Sequence, residues 1–154
     1  MKSGQTIQTV EISTIAHATD DLDKVQTALT RLIPDALKGR QLFTRRYLQG
    51  HYGNPIVTFE ARLTKPSEIG SFTTFFLNQL PHKDKLAIQR NLGSYSDADG
   101  NLYIRLDKQQ TFRGNVQLGE EDPIRVRMKF TKFTGPATDL MIKYLESEQN
   151  CQSL

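Results

Sequence analysis

Cysteine is all but missing from this 154-residue chain: Cys151 stands alone in a polar C-terminal stretch. No intramolecular disulfide can form, and a reducing, cytoplasmic setting is expected. Long apolar runs are missing too. No window holds the roughly 20 apolar residues that cross a bilayer. The opening Met1-Lys2-Ser3-Gly4-Gln5-Thr6 leads into an alternating segment and not into the apolar core of a signal peptide. No membrane partner is expected.

Chemistry-bearing patterns are equally sparse. His17, His51 and His82 are dispersed, with no His-x-x-x-His or Cys-His spacing that would suit zinc. No Gly-x-Gly-x-x-Gly occurs, and no Gly-Lys-Ser/Thr follows a strand. The run Asp97-Ala98-Asp99-Gly100-Asn101 opens like a calcium loop, but Leu106 fills the slot where an acidic residue is required and Asp107 falls one place late. A turn entering a strand explains it better. Asp20, Asp21 and Asp23 read as charges at a helix start, and Cys151 has no identifiable base. No metal, cofactor or catalytic group is expected.

What is present is alternation. Ile7 to Ala18 alternate as a strand with Val10, Ile12, Thr14 and Ala16 on one face. Thr19 or Asp20 then caps a helix whose stripe is Leu22, Val25, Leu29, Leu32 and Ile33, ended near Pro34. Residues 41–49 and 56–63 are strands, the second with Val57, Phe59, Ala61 and Leu63 on one face. Pro66 opens a helix packed through Ile69, Phe72, Phe75, Phe76 and Leu80, and Pro81 opens another that runs to Leu92 and stops at Gly93. A polar turn over 94–100 precedes a strand at 101–107 with Leu102, Ile104 and Leu106 inward. A loop from Lys108 to Gly114 leads to a short strand near Val116–Leu118. Residues 124–131 alternate cleanly, and Gly135-Pro136 starts a last helix with Leu140, Met141, Tyr144 and Leu145.

The expected order is β-α-β-β-α-α-β-β-β-α. Clean alternation implies antiparallel strands with one packed and one wet face, so the fold class is α+β, two layers, with helices on a single side. At 17.5 kDa the chain fits one domain over 1–154, frayed from about residue 147, that buries roughly 70% of its unfolded surface.

Net charge is only +3 but unevenly spread. Residues 41–65 and 101–133 together carry eleven basic against five acidic side chains. The wet side of the expected sheet presents Arg125, Arg127 and Lys129 in a row, with Tyr103 and Arg105 near. Cations about 7 Å apart along a strand match successive phosphates, and an interleaved ring can stack a base. Keeping an exposed sheet soluble is the plainer role for the same residues. Gly50-His51-Tyr52-Gly53-Asn54-Pro55 marks a tight hairpin reversal. The turn itself needs neither His51 nor Tyr52. Both suit contact with a base or a phosphate, and both suit simple packing beside the turn.

Four segments carry a family resemblance. They are Val10-Glu11-Ile12 with His17-Ala18-Thr19; Gly50-His51-Tyr52-Gly53-Asn54-Pro55; Asp99-Gly100-Asn101-Leu102-Tyr103-Ile104-Arg105-Leu106-Asp107-Lys108-Gln109; and Asp122-Pro123-Ile124-Arg125-Val126-Arg127. Across nearly its whole length the chain resembles a family of small archaeal proteins described as predicted exosome-associated RNA-binding proteins. The resemblance implies an α+β fold like that of the large-subunit ribosomal protein that contacts the smallest rRNA. It also implies RNA as partner, with exosome or ribosome-related proteins as further ones. One departure is the stretch 134–154, where Lys143 faces Asp139, Glu146 and Glu148, a composition unsuited to RNA.

The resulting expectation is a non-catalytic RNA-binding module. Its candidate site comprises His51, Tyr52, Asn54, Tyr103, Arg105, Lys108, Gln109, Arg113, Arg125, Arg127 and Lys129. The cations would hold phosphates, Tyr52 or Tyr103 would stack a base, and Asn54 or Gln109 would read a base edge or a 2′-OH. The alternative is a protein-interaction module, a homodimer among the possibilities, using its exposed sheet face against another subunit. An apolar face would mark it, whereas this one reads as basic. A metal-dependent hydrolase would instead need carboxylates converging near His17 or His51.

Overall fold

The computed structural model describes residues 7–39 and 41–131. The chain runs β1 (Ile7–Ala16), α1 (Leu22–Thr30), β2 (Thr44–Gln49), β3 (Pro55–Leu63), α2 (Pro66–Gln79), α3 (His82–Arg90), α4 (Leu92–Tyr95), β4 (Asn101–Leu106), α5 (Lys108–Phe112) and β5 (Ile124–Phe130). All five strands pair antiparallel in the order β2-β3-β1-β5-β4. The fold is α+β. Long, alternating β1 sits at the centre, flanked by β3 and β5.

The core lies on one side of the sheet. Val10, Ile12 and Ala16 of β1, Val57, Phe59, Ala61 and Leu63 of β3, Leu102, Ile104 and Leu106 of β4, and Ile124, Val126, Met128 and Phe130 of β5 are buried in one cluster with Val25, Leu29, Phe72, Phe76 and Ile88 of the helices. Phe72 and Phe76 stack with ring centroids 5.4 Å apart, one helical turn apart as the spacing requires. Residues offset by one position, among them Glu11, Ser13, Arg62, Tyr103, Arg105, Arg125, Arg127 and Lys129, face the other way.

Several boundaries differ from expectation for local reasons. The α1 cap is Asp21, whose carboxylate accepts from the Asp23 amide at 2.9 Å. Asp20 instead accepts from the His17 amide at 2.8 Å and closes the preceding turn. That helix ends at Thr30, before Pro34, which leads into a short 3-10 turn at Asp35–Leu37. Gly93 does not stop the helical region, because the break falls at Asn91 and another turn follows it. The expected loop after residue 107 is the five-residue helix α5, nucleated by the Asp107 carboxylate accepting from the Gln110 amide at 2.9 Å. The expected strand at 116–118 is reduced to a single bridge between Leu106 and Leu118. The last expected helix, from Gly135, lies outside the described residues.

Candidate nucleic-acid interface

Register sorts the open face into rows that cross the strands. One row is Tyr103, Arg127, Glu11 and Arg62; the next is Arg105, Arg125, Ser13, Glu60 and Thr44. Asn101, Lys129 and Thr9 form a row beyond the first, and Thr58 and Arg46 face each other beyond the second. Strand residues on this face therefore supply six cations, Arg46, Arg62, Arg105, Arg125, Arg127 and Lys129, against Glu11 and Glu60.

The two main rows differ in how far their charge is already used. In the first, Asp97 accepts from the Tyr103 hydroxyl at 2.8 Å, and Glu11 binds Arg127 and lies 3.8 Å from Arg62. The ring of Tyr103 is thus pinned. Burial disfavours the Arg127 cation, but its bond to Glu11 and that carboxylate's charge outweigh this and raise its pKa. The Tyr103 pKa is raised chiefly by donation to Asp97. In the second row, among the described residues, Arg105 has only Glu120 at 3.9 Å, and Arg125 has no ion-pair partner. Lys129, at the far end, is exposed and likewise unpaired among them.

Asp97 is held by the turn that enters β4, as expected for the run 97–101. Its carboxylate accepts from the backbone amides of Asp99 at 2.9 Å and Asn101 at 3.0 Å, and from the Asn101 and Tyr103 side chains. The Asn101 amide, followed by the Tyr103 hydroxyl, holds its pKa well below the usual 3.8. A depressed carboxyl pKa stabilises the fold fully above the unfolded value and loses that contribution as pH falls toward the folded one. The melting-temperature gap between wild type and Asp97→Asn should therefore be widest near neutrality and close as the pH drops below 3.8. A gap constant across that acid titration would remove Asp97 from this role.

The other candidate residues separate from this face. Tyr52 sits at the hairpin apex, 93% exposed and in the left-handed region at φ 63, beside exposed Asn54. The backbone of His51 belongs to the same short 3-10 turn, His51–Gly53. The apex overhangs the sheet at the end where Ala16 pairs with Val57. Arg125 lies two strands from Glu60, and Glu60 lies five residues from Pro55. At about 4.8 Å per strand and about 3.3 Å per residue, the apex is ~20 Å from Arg125. Apex and arginines therefore do not form one contact point.

Gln109 and Arg113 are exposed, but α5 packs against α1 on the helical side, where the Arg31 side chain donates to the Phe112 carbonyl at 2.8 Å. Lys108 turns inward. Its ammonium donates to the Ile15 carbonyl at 2.7 Å, bonds Asp122 at 3.0 Å and approaches Asp20 at 3.9 Å. This placement turns Lys108 away from the phosphate-holding role expected of it, since its side chain is only 8% exposed. His17 also reaches Asp122, at 3.3 Å. Ligand atoms of His17, Asp20 and Asp122 come within 4.8 Å of one another, the convergence a metal site would need. The Lys108 ammonium already supplies the cation these carboxylates call for.

Sequence reading missed Arg46 and Arg62 as members of the open face. Their positions follow from register alone: Arg46 faces Thr58, while its neighbour Arg45 lies over the Phe59 ring on the packed side, 4.9 Å from its centroid. Alternation along β2 could have separated the two once Phe59 was taken as inward.

Comparison with known proteins adds to this geometry. A family model described as RNA binding matches residues 9–130. An RNA-binding protein of Pyrococcus abyssi is 32% identical over 126 residues, which cover 80% of this chain and 82% of that one. An uncharacterised protein of Methanocaldococcus jannaschii is 24% identical over 147 residues, 93% and 97% of the two chains. Among solved structures, a protein from Archaeoglobus fulgidus matches with a TM-score of 0.76 at 30% identity, over 93% of this chain and 99% of that one. Another, from Methanothermobacter thermautotrophicus, shares the fold at a TM-score of 0.70 and 23% identity, over 92% and 97%. Among the described residues, no helix is long and apolar enough to cross a membrane.

Proposed function

The chain belongs to the RNA-binding family whose model spans residues 9–130, and from that premise we propose that it binds RNA, without catalysis, on its open sheet face. The observation that carries this reading is the surplus of cations over carboxylates on that face, concentrated in the row of Arg105 and Arg125 and at Lys129. Phosphates would lie along β5, where cations recur every second residue, and the pinned ring of Tyr103 would offer a stacking surface beside them. Tyr52 and Asn54 would meet the same strand of RNA further along. Cytoplasmic RNA processing, in association with exosome proteins, is the setting this reading favours.

Filter binding of single- and double-stranded RNA over a salt series tests it. Each phosphate contact on a single strand contributes about 0.7 to the logarithmic salt slope. The double variant Arg125→Ala/Lys129→Ala should bind more weakly, with the slope reduced by about 1.4. Wild-type protein that retains neither RNA at low salt would overturn the proposal.

A further inference from the structure

We propose that Arg105 and Arg125 form one discrete phosphate site, and that Glu120 occupies its edge as a built-in competitor. The inference rests on the RNA-binding reading and specifies which part of the open face takes a phosphate.

Two arginines directly opposite each other on neighbouring strands repel, so their pairing works against the sheet unless an anion joins them. Elsewhere on this face the chain supplies that anion: Glu11 lies between Arg127 and Arg62, and Glu60 approaches Arg46 at 4.0 Å. The only carboxylate paired with Arg105 or Arg125 among the described residues is Glu120, 3.9 Å from the Arg105 guanidinium and itself 75% exposed. Beside the pair is a hollow of about 160 Å³, lined also by Ser13, Tyr103, Arg127 and Glu11, whose carboxylate is already engaged by Arg127. The Nε of Arg127 is buried without a hydrogen-bond partner among the described residues. Two forked guanidiniums and a hydroxyl around a concave surface suit the tetrahedral oxygens of a phosphate.

The position of Glu120 is built in. The preceding amide, of Gly119, donates to the Arg105 carbonyl at 3.0 Å, which ties the turn to β4 at the very residue whose side chain Glu120 meets. A phosphate entering the hollow displaces a weak, solvent-screened pair and meets both arginines. Glu120 therefore lowers affinity, whereas Arg105 and Arg125 raise it.

Glu120→Gln should bind RNA about three- to fivefold more tightly, the scale of losing one exposed ion pair. That gain should vanish in Glu120→Gln/Arg125→Ala. Comparing 5′-phosphorylated with 5′-hydroxyl oligonucleotides separates the sources: equal gains mean an internal phosphodiester, and a gain confined to the former means a terminal phosphate. If wild type binds RNA but Glu120→Gln binds no better, the site is overturned while the RNA reading stands. If wild type binds no RNA, inorganic phosphate decides separately. Thermal stabilisation by phosphate that grows in Glu120→Gln and is lost in Arg125→Ala supports the site, and no stabilisation overturns it.

Discussion

Lys108→Ala should lower the unfolding free energy by about 2–4 kcal/mol and leave the salt dependence of RNA binding unchanged. Removing the ammonium strands the Ile15 carbonyl and the Asp20 and Asp122 carboxylates that converge on it. Breaking a buried pair by deleting one partner costs more than the pair is worth, because the other charge stays behind. Asp122 is 44% exposed and can recover some water, which sets the effect toward the lower end. Urea denaturation measures it. Unchanged stability together with a slope smaller by about 0.7 would return Lys108 to the RNA-contacting set.

Gly119→Ala is expected to be at least as damaging, at about 2–3 kcal/mol or more. An added Cβ would lie 2.7 Å from the Cβ of Asp107, 2.8 Å from its Cα and 2.9 Å from its nitrogen. None of those atoms can swing aside as a side-chain tip does. Asp107 begins α5 and donates its amide to the Gln117 carbonyl at 2.9 Å, so the clash pushes a helix start and a bridge at once. A thermal melt within a few degrees of wild type would show that the turn yields freely.

Where sequence reading succeeded, it did so through period. Alternation gave the packed faces of β1, β3, β4 and β5, and helical spacing gave Phe72 and Phe76. It failed where structure depends on contacts between distant residues. α5 is too short to display a period, and its cap is visible only once Asp107 is known to leave a strand. Lys108 looks like any cation after a strand until Asp122, fourteen positions on, folds back at φ 47 to meet it. Arg127 and Arg125 are indistinguishable by pattern, yet the register gives Glu11 to one and Ser13 to the other.

If RNA lies along the open face as proposed, the ~20 Å between the hairpin apex and Arg125 sets a minimum length for full engagement. A fragment of two or three nucleotides would engage one end or the other, and only a longer strand would hold both. Grip would then depend on how much of a transcript is unpaired.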